Sequence, residues 1–266
     1  MREILSKRIA SLKSREEKSH RAREFLQVLI LKIFFDGGAF ENLAFVGGTA
    51  LRICFGLRRF SEDLDFNLIR RRGYDFGSLL ERTRKELERY NLGVETSTRE
   101  SGVVQNSFLK FPGLLRELGI SEHPRQKLSI KIEIDTNPPA GWGLSVYPVS
   151  ETFVFAVNGY DLPSLYATKL HACFFRPYTK GRDFYDLVWY LGRRIEPNYV
   201  LLNNAIRQTE KQDLKIGPNN FRSFLQSKLE KLNFNSIRRD VERFLEDKNE
   251  LKLLDSQNIL KMIETI

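Results

Sequence analysis

Between Leu43 and Asn67 an apolar run, a Gly-Gly pair, a short amphipathic stretch and an alternating acidic run follow one another, and few folds admit that succession. Leu43-Ala-Phe-Val46 reads as a buried strand. It stops at Gly47-Gly48, where the absent Cβ atoms permit positive φ and let a ligand come close to the backbone. Thr49 is predicted to cap a helix over residues 50–55, whose first amides then face outward as an anion site suited to phosphate. Asp63-Leu-Asp-Phe66 alternates polar and apolar, so on a strand both carboxylates share one face while Leu64 and Phe66 share the other. Two like charges side by side are costly without a cation between them. Hard oxygen donors of this kind suit Mg2+, or Mn2+, with nucleotide phosphates completing the shell. A Gly-Gly pair alone marks only a turn, and Asp-x-Asp alone only a solvated edge strand; the combination carries the chemistry.

That combination over residues 43–65 resembles the active-site signature of the nucleotidyltransferase fold of DNA polymerase β. More narrowly, Gly47-Gly-Thr-Ala-Leu51 with Arg59-Phe-Ser-Glu-Asp-Leu-Asp65 looks like the AbiEii/AbiGii abortive-infection toxin family. A second stretch strengthens the likeness: Leu165-Tyr-Ala-Thr-Lys-Leu-His-Ala-Cys-Phe-Phe-Arg176, then Lys180-Gly-Arg-Asp-Phe-Tyr-Asp-Leu187, is similar to that family's lysine helix followed by Arg-Asp-x-x-Asp-Leu. On matching positions the resemblance implies that Lys169 holds nucleotide phosphates and Asp183 is a functional acid, with Asp186 and Arg182 as weaker candidates. Arg176 lies seven residues beyond Lys169 on the same helical face, where an arginine fork complements the compact lysine charge.

Residues 92–98, 103–111, 127–135 and 144–157 are rich in Val, Ile, Phe and Thr between Gly, Pro and Asn clusters and read as further strands. Lys127-Leu-Ser-Ile-Lys-Ile-Glu-Ile-Asp135 puts Ile130, Ile132 and Ile134 on one face and Lys131, Glu133 and Asp135 on the other. The nucleotidyltransferase fold has its third acid in an apolar-acid-apolar strand, so the resemblance points to Glu133, with Asp135 in reserve, as further metal ligand or base.

The remaining readings set bounds. No apolar run is long enough to span a bilayer, and the chain starts in a charged amphipathic segment without a signal-peptide core, so a cytoplasmic protein without membrane contact is expected. Cys54 and Cys173 sit in apolar helical patterns, as reduced core residues do, and His20, His123 and His171 are scattered. A formal net charge of +9 favours an anionic partner. Arg52, Arg58, Arg59 and Arg70-Arg-Arg72 flank the two acids, either as surface charge or as phosphate contacts. One or two amphipathic helices are expected over residues 4–35. A helix capped by Ser78, with Leu79, Thr83, Leu87 and Tyr90 inward, should follow the arginine turn, and further helices capped at Asn220, Ser236 and Ser256 should lie beyond Pro197.

The expected fold is therefore α/β (α+β): a nucleotidyltransferase mixed-sheet core with N-terminal helices over residues 1–160 and a helical C-terminal domain over 161–266. The resemblance implies a toxin of a bacterial toxin–antitoxin or phage-defence pair that moves NMP from an NTP to an acceptor. A structured RNA, above all tRNA, is the expected acceptor, and a cognate antitoxin a further partner. The competing readings are transfer to a protein hydroxyl or small molecule, and a non-catalytic module that binds nucleic acid or antitoxin.

Overall fold

The computed structural model describes residues 1–230 and 232–266 and opens on two helices, α1 (Arg2–Ile9) and α2 (Arg15–Asp36). Ser14 starts α2 by accepting the Glu17 amide, Glu16 and Glu17 complement the first turn, and no Gly or Pro interrupts the next twenty-two residues. The span 4–35 therefore holds two helices, separated at residues 10–14. Then come β1 (Leu43–Val46), α3 (Gly47–Phe55), β2 (Asp63–Leu68), α4 (Phe76–Arg89), β3 (Glu95–Arg99), β4 (Val104–Phe111), the single turn α5 (Leu114–Glu117), β5 (Leu128–Asp135), β6 (Leu144–Val149) and β7 (Phe155–Tyr160). Six α-helices follow among the described residues: α6 (Leu162–Phe175), α7 (Gly181–Gly192), α8 (Tyr199–Glu210), α9 (Pro218–Leu229), α10 (Phe234–Val241) and α11 (Ser256–Glu264). None of the described helices is long and apolar enough to cross a membrane.

The residues fall into two compact units, one of 1–54, 60–138 and 146–159, the other of 55–59, 139–145 and 160–266. The first is built on a mixed seven-stranded sheet of order β3-β4-β5-β2-β1-β7-β6. Two neighbours run parallel in it, β2 with β5 and β1 with β7. Its core lies under one face, where Leu64, Phe66, Ile130, Ile132 and Ile134 pack with Leu26, Leu29, Ile30 and Phe34 of α2. The rings of Phe34 and Phe66 lie 5.3 Å apart. Slipping β5 by one residue would expose all three isoleucines, at a cost of roughly 5–9 kcal/mol, so the register that turns its charged residues to the other face is firmly set.

The second unit is helical. Tyr166 of α6 stacks on Tyr190 of α7 with centroids 4.2 Å apart, and Phe221 of α9 meets Tyr166 edge-on. Gly181 lets α7 start hard against α10, since a Cβ there would lie 2.2 Å from the Ile237 carbonyl oxygen.

Several sequence-based caps are displaced. Asp75, not Ser78, caps α4, and it is Leu80 rather than Leu79 that is buried with Thr83 and Leu87. Asn233 and Asp255 cap α10 and α11, one turn or less before Ser236 and Ser256, and Asn220 closes a box from inside α9 by accepting the Gly217 amide. The apolar span 144–157 is two strands divided by a turn.

Candidate active site

The acidic motif is fixed by its neighbours on both sides. Antiparallel pairing sets Val46 opposite Asp65, and at the next residue the chain turns through Gly47 at φ +78°. A Cβ on Gly47 would lie 2.4 Å from Asp65 Oδ2 and 3.0 Å from Asp65 Cβ, so only glycine lets that carboxylate rest against the start of α3. The helix begins at Gly47, earlier than the sequence suggests, and Thr49 is not its cap: the buried Thr49 hydroxyl donates to the Asp63 carbonyl and ties α3 to β2. What remains of the anticipated anion site is the group of first-turn amides, which have no acceptor within their own helix.

On the other side, β5 runs parallel to β2 with Asp63 opposite Lys131, Asp65 opposite Glu133 and Asn67 opposite Asp135. Paired residues share a face, so Asp63, Asp65, Lys131 and Glu133 form a two-by-two charged patch away from the core, on strands about 4.8 Å apart. Asn106 of β4 extends the row, opposite Glu133. The Glu133 carboxylate accepts a hydrogen bond from Lys131. Burial opposes the Lys131 charge, but Glu133, then Asp63 and Asp65, outweigh it and raise the basicity of the ammonium. Asp135 sits one step further along and accepts the Asn137 amide at 2.8 Å; partial burial pushes its carboxyl up. Neither Lys131, which the sequence places on the Glu133 face, nor Asn106 belongs to the predicted site residues. The alternation along β5 did carry Lys131 to the right face, whereas Asn106 depends on strand order.

The second unit holds a different charged group. Asp161 caps α6 by accepting the Ser164 amide, and Lys169, buried on that helix, has its Nζ 2.7 Å from Asp183 Oδ1 and 2.8 Å from Asp186 Oδ2. Arg176 reaches the same Asp183 at 2.9 Å, but not from the predicted helical face: α6 ends at Phe175, and Arg176 follows it with an extended backbone. Asp186 is fully buried and takes a two-pronged contact from the Arg59 guanidinium, 2.6 Å at each oxygen. Burial would raise the Asp183 carboxyl, but Lys169 and Arg176 hold it below the usual carboxylate range. Burial likewise works against Lys169, and Asp183 and Asp186 more than offset it. Lys169 is therefore a paired internal charge, and Arg176 is the more open member of the set.

The flanking arginines divide: two of them, Arg52 and Arg59, are paired within the fold, and the others lie at the surface. Arg52 pairs with Glu24 and lies over the Phe60 ring at 4.3 Å, and Arg59 is internal. Arg58 pairs with Glu250 at 3.1 Å. Arg58 and the turn Arg70-Arg-Arg72 are exposed, and the turn is shaped by Asn42, whose side-chain amide donates to the Arg70 and Arg72 carbonyls. His171 bonds Thr209, and Arg182 lies over the Phe244 ring.

The donor set near Gly47 suits a hard divalent ion. Among the described residues no three Asp, Glu, His or Cys side chains converge as a ready metal cage. Mg2+, however, is ordinarily held by one or two carboxylates, water and substrate phosphates, which Asp63 and Asp65 satisfy, with Glu133 adjacent in register.

No curated protein matches the chain. Among solved structures it is similar to JHP933 from Helicobacter pylori, at 17% identity and a TM-score of 0.47 over 91% of this chain and 94% of that one. It is also similar to an H. pylori chain described as a candidate nucleotidyltransferase, at 18% identity and a TM-score of 0.48 over 91% and 96%. These overlays are loose, and the assignment rests on sequence: the model of the family described as nucleotidyl transferase AbiEii toxin, type IV toxin–antitoxin system, matches residues 29–260. That span takes in the Gly47 turn, the Asp63/Asp65 strand and the lysine helix alike, and the chain belongs to the AbiEii family of nucleotidyltransferase toxins, enzymes whose substrate is an NTP and whose partner is an antitoxin.

Proposed function

We propose that the chain is a metal-dependent transferase that moves NMP from an NTP to a tRNA, most naturally at the exposed 3′ end. The observation that carries this reading is the register of β2 and β5, which sets Glu133 beside Asp65 on the face that also bears Asp63 and borders the Gly47 turn. The chemistry is assigned to a core over residues 1–160, with 161–266 as a helical domain.

Asp63 and Asp65 bind and orient the nucleotide's cation, and the amides of Gly47, Gly48 and Thr49 receive phosphate oxygens at the start of α3. Bound Mg2+ or Mn2+ supplies the positive charge that stabilises the phosphates and the departing pyrophosphate. Glu133 accepts the proton of the acceptor hydroxyl, or completes the ligand set. The acceptor oxygen bonds to the α-phosphorus as the bond to the bridging oxygen breaks, and pyrophosphate leaves. Within the second unit, Lys169 and Arg176 are assigned to nucleotide phosphate, with Asp183 holding both in place. Because Lys169 already has two carboxylate partners, Arg176 is the member with more freedom to turn outward.

The RNA acceptor is supported by the formal net charge of +9 and by the exposed Arg70-Arg-Arg72 turn. The deciding experiment incubates the full chain with each labelled NTP, Mg2+ and either total RNA or total protein. Label entering a tRNA band from one NTP is expected. Label entering only protein or a small molecule would refute the acceptor and leave nucleotidyl transfer standing.

A further inference from the structure

We propose that Phe108 and Asn106 of β4 form the seat for the terminal nucleotide of the acceptor RNA, with its base stacked on the Phe108 ring and its sugar held beside Glu133. The inference rests on the reading that Glu133 serves the acceptor hydroxyl.

Register places these residues. β4 pairs antiparallel with β5 on the side away from β2, so that Asn106 stands across from Glu133 and Phe108 across from Lys131. Phe108 is thus the diagonal neighbour of Glu133 on the same face, about 7–8 Å away. β3 continues the surface with Arg99 opposite Asn106, and Lys110 follows Phe108 two residues along β4 on that face.

The state of the side chains separates a binding surface from the mere outside of a strand. β4 is an interior strand, and Ser107 and Leu109 on its other face are buried. Phe108 is 38% exposed all the same, and among the described residues its ring meets no other ring and no cation. The side chains of Asn106, Arg99 and Lys110 likewise have no hydrogen-bond or ion-pair partner among the described residues. The other apolar residue of β4 on this face, Val104, is separated from Phe108 by Asn106, which leaves no continuous apolar patch for a protein to cover. A single ring beside a carboxamide and two cations suits a nucleotide: every base offers a face for stacking, the carboxamide both donates and accepts, and Arg99 and Lys110 stand ready for the phosphates of the strand leading in. Strand order then chooses between the two nucleotides that meet at the site. The Gly47 turn, at the end of β1, lies on the far side of β2 from β4. The triphosphate and the Phe108 seat therefore approach the acids from opposite sides, as an in-line displacement requires.

The test measures binding of a tRNA transcript, and of the same tRNA with an abasic 3′-terminal nucleotide, to the full chain, together with NTP binding in Mg2+. It compares wild type, Phe108→Ala and, as a control for the loss of an exposed ring, Phe35→Ala; Phe35 is 43% exposed near the end of α2. Phe108→Ala should weaken binding of the intact tRNA about fivefold to a hundredfold, the worth of one stacked base, and removing the terminal base should cost wild type a similar factor. The two losses should not add, because they remove the same contact: Phe108→Ala should bind intact and abasic tRNA alike. NTP affinity should stay within about twofold of wild type, since the stacked base belongs to the acceptor, and Phe35→Ala should match wild type throughout. If wild type does not bind tRNA, the acceptor reading fails and this inference with it. If wild type binds tRNA but Phe108→Ala binds the intact form as tightly, weakens both forms equally, or weakens NTP instead, only the seat is refuted. Should Phe108→Ala not fold, Phe108→Trp gives the answer: intact tRNA should quench the added indole emission, while abasic tRNA and NTP should not. Emission unmoved by intact tRNA, or moved equally by abasic tRNA or NTP, would overturn the proposal.

Discussion

Gly47→Ala separates two costs that a glycine substitution normally mixes. A left-handed backbone costs a residue with a Cβ about 1–2 kcal/mol. At Gly47, φ is +78° and the added carbon would also lie 2.4 Å from Asp65 Oδ2, so the carboxylate must swing away or β2 must shift. Overpacking of this kind adds about 1–3 kcal/mol, for a total of roughly 2–5 kcal/mol. Gly113 supplies the reference: its φ is +74°, nothing lies within 4 Å of a Cβ built there, and it belongs to the same unit. Gly113→Ala should therefore lose only about 1–2 kcal/mol in urea unfolding and keep wild-type transfer. Gly47→Ala should lose more, and its Mn2+ binding and transfer should collapse because Asp65 no longer sits beside the turn. If the two variants unfold alike and Gly47→Ala still binds Mn2+ and transfers nucleotide, the close approach of turn and acid does not determine the site.

Asp63→Asn or Asp65→Asn should abolish transfer while leaving thermal unfolding within a few degrees of wild type, because each relieves repulsion between crowded acids; calorimetry and labelled-NTP transfer check both halves. Arg59→Met, which leaves fully buried Asp186 without its guanidinium, should cost about 3–5 kcal/mol in denaturant unfolding, and adding Asp186→Leu should restore part of it. Asp183 is held below its unfolded value, so the unfolded chain takes up that proton first: the stability Asp183 contributes is complete above the ordinary carboxylate range, near pH 4, and is lost as pH falls through the folded value. Unfolding of Asp183→Asn should depend less on pH over that acid limb than unfolding of wild type. Replacing Arg70, Arg71 and Arg72 with serine should weaken tRNA binding and flatten its salt dependence without changing NTP affinity, as filter binding between about 50 and 200 mM salt would read.

Local pattern reached far in this chain. Alternation assigned the faces of β2 and β5 because a period of two leaves no choice once Leu64, Phe66 and the three isoleucines must be buried. Glycine chemistry found the turn at Gly47. Caps were misplaced for a recurring reason: at Asp75/Ser78 and Asn233/Ser236 two residues that both favour caps stand three apart, one accepting the amide that the other donates, and sequence does not rank them. The partner of Arg59 is 127 residues away, and no local signal tells a surface arginine from one that neutralises a buried aspartate. Thr49 was misjudged on similar grounds, since its hydroxyl serves the Asp63 carbonyl and that contact exists only once β2 has been laid beside α3.

The chain threads from one unit to the other at 54/55, 59/60, 138/139, 145/146 and 159/160. A gene fragment encoding 161–266 would thus omit Arg59 and the Gly141–Gly143 backbone, whose Gly141 carbonyl accepts from Asn198 and whose Gly143 amide donates to Ser164. Exchange of carboxy-terminal halves between relatives by recombination would carry a mismatch invisible at the junction, because residues 55–59 and 139–145 descend from the amino-terminal parent while packing with the carboxy-terminal one. Such chimaeras should survive only when the two small segments travel with the distal half, which makes the whole transferase, and neither of its halves, the unit that can be inherited and diversified.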